Sequence, residues 1–283
     1  MPLVPMKELL IKAYKEGYAV PSFCVWSAET IQKVIEVAEK LKAPVILMNG
    51  PGEFPLVEPG ISSAIAYNLI GQYDVQAALH LDHGNSIDMV KSCISAKYTS
   101  VMLDYSTRPF EENAKALRQV VEMAHPSGIS VEGEIGSVGF LDKVTKEGGY
   151  FSSLTDPEQA LQYAKQTGVD ALAVSIGNAH GIYTKLPQFE FDLLAKINSK
   201  VRIPLVLHGG SGTPEQDIKK AISLGIAKVN VASELLKVVR ESLLSQWNAG
   251  KNLWVPAAQV EAMNDLARVV EKWILIAGAA GRS

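Results

Sequence analysis

Three histidines occupy equivalent places in this chain. His83 closes His80-Leu81-Asp82-His83, His180 lies in Gly177-Asn178-Ala179-His180-Gly181, and His208 opens His208-Gly209-Gly210-Ser211-Gly212. Each follows an apolar run, at 77–79, 171–176 and 204–207. A parallel strand buried on both faces reads as such a run. Ligands at the C-terminal ends of three different strands converge on one rim, and three imidazoles with an open fourth position make a catalytic zinc site. A single histidine is more often a satisfied structural residue. The shared strand-end setting of three of the five histidines favours the metal reading. His125, in Ala124-His125-Pro126-Ser127, reads instead as a helix end.

The carboxylates nearby add proton chemistry. Strand alternation places Asp82 with His80 and turns it away from His83. Asp82 then serves either as a general acid and base on a substrate hydroxyl or as the orienter of a histidine; His80 reads as support rather than ligand. Glu132 and Glu134 alternate with Val131, Gly133 and Ile135, so both face the barrel mouth, where a buried carboxylate needs a metal or polar partner. Gly209-Gly210-Ser211-Gly212 is a strand-to-helix turn, and Asn230-Val231-Ala232-Ser233 ends the next strand. These are either tight turns without a ligand or an anion cradle. Their position after a seventh and an eighth strand favours phosphate.

Positioning such a set requires alternating strands and helices. Apolar runs recur near 19–25, 44–49, 77–82, 100–105, 130–136, 171–176, 204–209 and 228–233, with amphipathic stretches between them. From Ser27 to Lys42, Ile31, Val34, Ile35, Ala38 and Leu41 fall at helical spacing while Glu29, Lys33, Glu36 and Lys40 face away. Eight such units predict a (β/α)8 TIM barrel, a parallel α/β fold. The rival open sheet would want a Gly-x-Gly-x-x-Gly turn after its first strand, which the sequence lacks. Two extra C-terminal helices are expected, Glu234 to Trp247 and Ala257 to Gly278. The segment Gly136 to Thr155 is long for a βα connection and reads as either a lid or a surface loop.

At 283 residues, one barrel of about 250 residues accounts for the chain as a single domain, 1–283. A net charge of −3 offers no basic excess for nucleic acid. No apolar run reaches the roughly 18 residues of a membrane span, and the start lacks a signal-peptide pattern, so a cytoplasmic location is expected. Cys24 and Cys93 form no ligand motif and read as free, packed thiols.

Taken together, these residues resemble the class II, zinc-dependent ketose-bisphosphate aldolases. The resemblance runs nearly end to end, through His-Leu-Asp-His at 80–83, Ser-Val-Met-Leu-Asp at 100–104, Val-Glu-Gly-Glu-Ile-Gly at 131–136, Ile-Gly-Asn-Ala-His-Gly-Ile-Tyr at 176–183, Pro-Leu-Val-Leu-His-Gly-Gly-Ser-Gly at 204–212, Lys-Val-Asn-Val-Ala-Ser-Glu at 228–234, and Gly281-Arg282. It implies retro-aldol cleavage releasing dihydroxyacetone phosphate, with Zn2+ on His83, His180 and His208 and Glu134 as an alternative ligand. Asp82 would move the hydroxyl proton. Gly181, Gly209, Ser211, Asn230 and Ser233 match positions that hold the dihydroxyacetone phosphate end, and some members also hold a monovalent cation, Na+ or K+. A small phosphorylated sugar substrate and a homodimer or homotetramer are the implied partners.

The departures concern the acceptor side. Asp142, in Gly139-Phe140-Leu141-Asp142, stands where the family lid carries a catalytic glutamate. Cys24 and Trp26 replace the usual first-strand residues, and Gly50 replaces a hydroxyl residue after the second strand. Ala232 and Thr184 lean toward the tagatose-bisphosphate enzymes rather than the fructose enzymes. Asn264 stands where a cation for the second phosphate is usual, with Arg268 as its substitute. The alternatives are therefore a fructose-1,6-bisphosphate or ketose-1-phosphate aldolase, or an impaired sugar-phosphate-binding homologue. Metal-dependent hydrolysis fits the phosphate cradle and Asp82 less well.

Overall fold

The eight apolar runs become eight parallel strands in a computed structural model that describes residues 3–140, 153–181, 187–251 and 254–283. They are β1 (Val20–Cys24), β2 (Val45–Asn49), β3 (Ala77–Gly84), β4 (Ser100–Leu103), β5 (Ser130–Ile135), β7 (Ala171–Val174), β9 (Leu205–Leu207) and β10 (Ile226–Val231). They close into a barrel in the order β1-β10-β9-β7-β5-β4-β3-β2. Two two-residue strands, β6 (Gly139–Phe140) and β8 (Ala179–His180), pair in parallel outside the barrel.

Helices wrap the barrel because each carries one apolar stripe. In α2 (Ala28–Lys40) Ile31, Val34, Ile35 and Ala38 are buried. Ser27 caps the helix, its side chain accepting the Thr30 N–H while the Thr30 hydroxyl accepts the Ser27 N–H. Such a reciprocal cap satisfies amides that the first turn leaves open. At the C-terminus, α9 (Ser233–Asn248), which follows the eighth barrel strand, and α10 (Val255–Ile276) beyond it are the two helices expected from the sequence. In α10, Leu266, Val270, Trp273 and Ile274 are buried.

The sequence reading did not mark one element. Helix α1 (Met6–Glu16) precedes β1 and buries Met6, Leu9, Leu10 and Ala13. Its neighbours are the strand starts: Val4 N–H donates to Ala77 O, and Lys7 N–H to Ser130 Oγ. The helix thus covers the N-terminal end of the barrel, leaving the C-terminal end for chemistry. Among the described residues no helix is long and apolar enough to cross a membrane.

Candidate active site

Strand β3 delivers two neighbouring side chains to the same cleft. Strand alternation alone would send Asp82 and His83 to opposite faces, and that expectation is corrected here. His83 takes a left-handed backbone conformation, φ 46°, and the β3–β4 register shifts between Leu81 and Gly84. A bulge of this kind re-aims a side chain. Asp82 Oδ2 and His83 Nε2 consequently lie 4.0 Å apart. A non-glycine residue at positive φ is strained, and such strain clusters at functional sites.

His180 follows β7 in the short strand β8, and His208 directly follows β9. Ring centroids lie 4.8 Å apart for His83 and His180, 4.6 Å for His83 and His208, and 5.7 Å for His180 and His208. One nitrogen from each ring falls within 4.8 Å of the others. His208 is fully buried, and its Nδ1 faces Nε2 of His83 at 2.7 Å.

Two of these rings are oriented from behind. His83 Nδ1 donates to Asp104 Oδ2 at 2.7 Å, and His208 Nε2 donates to Glu132 Oε1 at 2.8 Å. Glu132 Oε2 in turn accepts from Lys228 Nζ at 2.8 Å, in an ion pair whose two side chains are fully buried. A carboxylate on the far nitrogen fixes the tautomer of a metal-binding imidazole and raises its basicity. The Glu134 carboxylate lies behind the same cluster, Oε2 being 3.8 Å from His208 Nδ1, buried and without a hydrogen-bond partner.

The donor chemistry fits a divalent, nitrogen-preferring ion such as Zn2+. Two other donor groups overlap this cluster, His80 with Asp82 and Glu132, and His83 with Asp104 and Glu134. In the first, Glu132 is already held by His208 and Lys228, and in the second, Asp104 is held by His83. Burial opposes a charge on His83, yet the Asp82 and Asp104 carboxylates raise its pKa to about 10, a measure of the cation-attracting field here. Burial raises Glu134 to about 6, with Asp104 adding to the effect. His80 is held beneath the cluster, its Nδ1 2.9 Å from Ser100 Oγ. Burial, and then the Lys228 charge, depress His80 to about 3, so it stays neutral.

Beside the histidines lies a small recess. Met48 of β2, Asp82, His180, Gly181, Gly209, Ser211, Asn230, Ala232 and Ser233 line it. Two glycines permit its close walls. A Cβ on Gly209 would stand 2.0 Å from Ala179 O, and one on Gly210 2.8 Å from Asn230 O. Ser211 Oγ accepts the N–H of Glu234 in the first turn of α9, which ties the β9 turn to that helix. Asn230 Nδ2 donates to Asp82 Oδ1 at 2.9 Å, joining the recess to the candidate proton-transfer residue. Burial opposes ionisation of Asp82, but the neighbouring His83 and Lys228 charges hold its carboxyl well below the usual range.

The cluster and recess therefore bring together His83, His180, His208, Glu134, Asp82, Gly181, Gly209, Ser211, Asn230 and Ser233. Asp142 and Thr184 lie outside the described residues, as do residues 141–152 of the expected lid. At the lid's base, Ser137 and Ser153 pair antiparallel. His125, as expected, ends helix α5 (Phe110–Ala124) and pairs with Asp170. Cys24 and Cys93 are free and buried.

Residues the sequence reading left without a role are Asp104, Lys228 and Glu53. Asp104 carried a signal, a carboxylate directly after an apolar strand. Lys228 carried a stronger one, a cation in phase with Asn230 inside an apolar run. Glu53 lies in the turn after β2 and gave none.

Comparisons with known proteins agree with this geometry. The family described as class II fructose-bisphosphate aldolase matches residues 4–282. The YdjI aldolase from Escherichia coli K12 shares 32% identity, covering 99% of each chain with a TM-score of 0.88. A candidate fructose-1,6-bisphosphate aldolase from Coccidioides immitis shares 28% identity over 98% of this chain and 97% of that one, with a TM-score of 0.88. The fructose-bisphosphate aldolase of Campylobacter jejuni, at 21% identity over 98% and 95% and a TM-score of 0.84, shares the fold.

Proposed function

The chain belongs to the class II fructose-bisphosphate aldolase family and is a lyase of that class, and on that premise we propose that it cleaves a phosphorylated ketose to dihydroxyacetone phosphate and an aldehyde. The observation that carries this reading is the junction at His180 and Asp82. His180 belongs both to the three-histidine cluster and to the glycine-walled recess, and Asp82 lines that recess next to His83.

In this reading His83, His180 and His208 hold Zn2+, with Glu134 as the alternative ligand. Bound there, the ion would supply Lewis-acid polarisation of the ketone. Gly181, Gly209, Ser211, Asn230 and Ser233 hold the phosphorylated donor half. Asp82, oriented by the Asn230 amide, takes the proton from the hydroxyl on the carbon that leaves as the aldehyde. As that O–H bond breaks, the carbonyl forms and the C–C bonding pair stays with the donor half. The proton then delivered to the donor carbon is assigned to Asp142, on the resemblance alone.

Ala232 lines the recess and supports a tagatose-1,6-bisphosphate-like sugar over a fructose one. One observation favours a ketose 1-phosphate instead. Arg268, the substitute cation for a second phosphate, is 78% exposed and pairs with Asp265 at 2.6 Å. Exposed Val260 and Leu275 on α10 support the expected homodimer or homotetramer.

A coupled assay for dihydroxyacetone phosphate release tests the reading. Zinc-loaded protein is given tagatose-1,6-bisphosphate, fructose-1,6-bisphosphate and ketose 1-phosphates, with Na+ and K+ varied and a chelator control. Chelator-sensitive release is expected. No release from any of them, with thermal stabilisation by the same sugars, would replace this reading with that of an impaired sugar-phosphate-binding homologue.

A further inference from the structure

On the aldolase reading, the aldehyde half of the substrate extends from Asp82 over the neighbouring ends of β2 and β1. The donor recess occupies the ends of β9 and β10, Asp82 ends β3, and β1 and β2 lie between β10 and β3 in the barrel order. What those two strand ends present therefore meets the leaving aldehyde. The residues are Cys24, which ends β1, Trp26 just beyond it, and Gly50 and Glu53 after β2.

Glu53 is built into this sector rather than waving above it. The chain turns tightly after β2, the N–H groups of Glu53 and Phe54 both donating to Gly50 O at 3.0 and 3.1 Å. The Glu53 side chain folds back so that Oε2 accepts the Gly50 N–H at 2.9 Å. Gly50 itself presses on the Asp82 backbone, where an added Cβ would stand 2.2 Å from Asp82 O. Burial, with the Glu53 and Asp82 charges adding, pushes the Cys24 thiol well up, and burial, with the Asp82 charge adding, raises Glu53. A second carboxylate is thus fixed beside the one that handles the reacting hydroxyl.

Among the described residues, no lysine or arginine stands at the two strand ends, and Lys33, further along α2, is paired with Glu36 at 2.6 Å. Residues 24–32 and 50–58 contain no Lys or Arg. Trp26 and Leu56 line a cavity of about 430 Å³ in which Glu29 is the one charged residue among the described residues of its wall. Lys228 influences Asp82, but it is fully buried and paired to Glu132. Among the described residues, then, the aldehyde side is acidic and apolar while the donor side is a recess walled by glycine, serine and Asn230.

Resting on the aldolase reading above, we infer that Glu53 is a specificity-determining residue that accepts hydrogen bonds from hydroxyl groups of the aldehyde and excludes a phosphate there. The substrate class is accordingly a ketose 1-phosphate whose aldehyde half is a neutral, hydroxylated chain. Like charges brought together at a partly desolvated site discriminate strongly against the wrong partner. A hydroxyl meeting the same carboxylate gains a charge-assisted hydrogen bond.

The test uses the zinc-loaded enzyme in the synthetic direction. Dihydroxyacetone phosphate is offered with glyceraldehyde or with glyceraldehyde 3-phosphate, for the wild type, Glu53→Gln and Glu53→Lys. Exchange of the dihydroxyacetone phosphate C–H proton with deuterated water, without any aldehyde, is measured in parallel. The wild type is expected to prefer the unphosphorylated aldehyde by at least about tenfold in kcat/KM, and Glu53→Lys to move that ratio by about tenfold or more toward the phosphorylated one. The KM for dihydroxyacetone phosphate should not change. An aldehyde ratio that is the same in all three proteins, with proton exchange intact, overturns the role of Glu53 and leaves the aldolase reading standing. Absence of proton exchange in the wild type overturns the aldolase reading itself.

Discussion

Glu132 accepts Nε2 of His208 at 2.8 Å, and this bond turns Nδ1 of the same ring toward His83. The carboxylate that does so is matched by Lys228 across the barrel, 96 residues away in sequence. Orientation of one candidate metal ligand thus depends on an ion pair with no solvent access.

Lys228→Met breaks that pair and leaves Glu132 as an uncompensated buried charge. Removing one partner of a buried pair costs about 3–5 kcal/mol, and loss of an orienting carboxylate weakens metal binding about 10- to 100-fold. Zinc competition with a chromogenic chelator should show the weaker affinity for Lys228→Met and Glu132→Gln alike. Wild-type zinc affinity in both would show that His208 is oriented without them.

Asp82→Asn keeps the size of the side chain and removes the proton acceptor. Turnover should fall about 100- to 10,000-fold, the usual worth of a positioned general base, while zinc content stays at the wild-type level. Since Asn230 donates to Asp82 Oδ1, the amide oxygen can take that bond and the fold should persist. Full activity in the variant would move the proton step to another residue.

Zinc removal should lower the melting temperature as well as stop the reaction. A ligand that binds only the folded state stabilises it by about 4 kcal/mol at a thousandfold excess over Kd. Thermal scans with and without chelator, followed by zinc addition, measure the loss and its recovery. Identical melting curves would place the ion outside this cluster.

Gly50→Ala should damage both stability and catalysis, because the new methyl meets backbone rather than a movable side chain at Asp82. Overpacking of this sort costs about 1–3 kcal/mol. Urea titration gives the first effect and kcat the second; a variant with wild-type values of both would show that the β2 turn shifts freely.

Alkaline stability has its own signature. Burial pushes the Cys93 thiol up to about 12 from an ordinary 9.0. A folded state that holds its proton more tightly than the unfolded chain is stabilised below the unfolded pKa, and this advantage is lost as pH rises through the window from 9 to 12. Unfolding free energy should therefore fall across that window, and less steeply in Cys93→Val. Parallel slopes for the two proteins would remove Cys93 as a contributor.

Much of the barrel is legible in the sequence alone. A strand buried on both faces must be apolar along its length, so the eight runs marked the eight barrel strands. The α2 stripe followed from helical spacing in the same way. His83, His180 and His208 could be grouped because strand ends in a closed parallel barrel share one rim, whatever the details of packing. The acidic pair Glu132 and Glu134 was likewise legible from its two-residue period.

Only tertiary structure decided which groups meet. Period-two alternation separates Asp82 from His83, and just the bulge after Leu81, with His83 at positive φ, brings them to one cleft. Lys228 finds Glu132, and Asp104 finds His83, because barrel closure and register set which side chains share a layer. Glu53 gains its place from the contact of Gly50 with the Asp82 carbonyl. Local sequence carries the burial pattern of each element, since burial is felt residue by residue. Pairings between distant residues depend on the stagger and curvature of the whole sheet, which no single segment encodes.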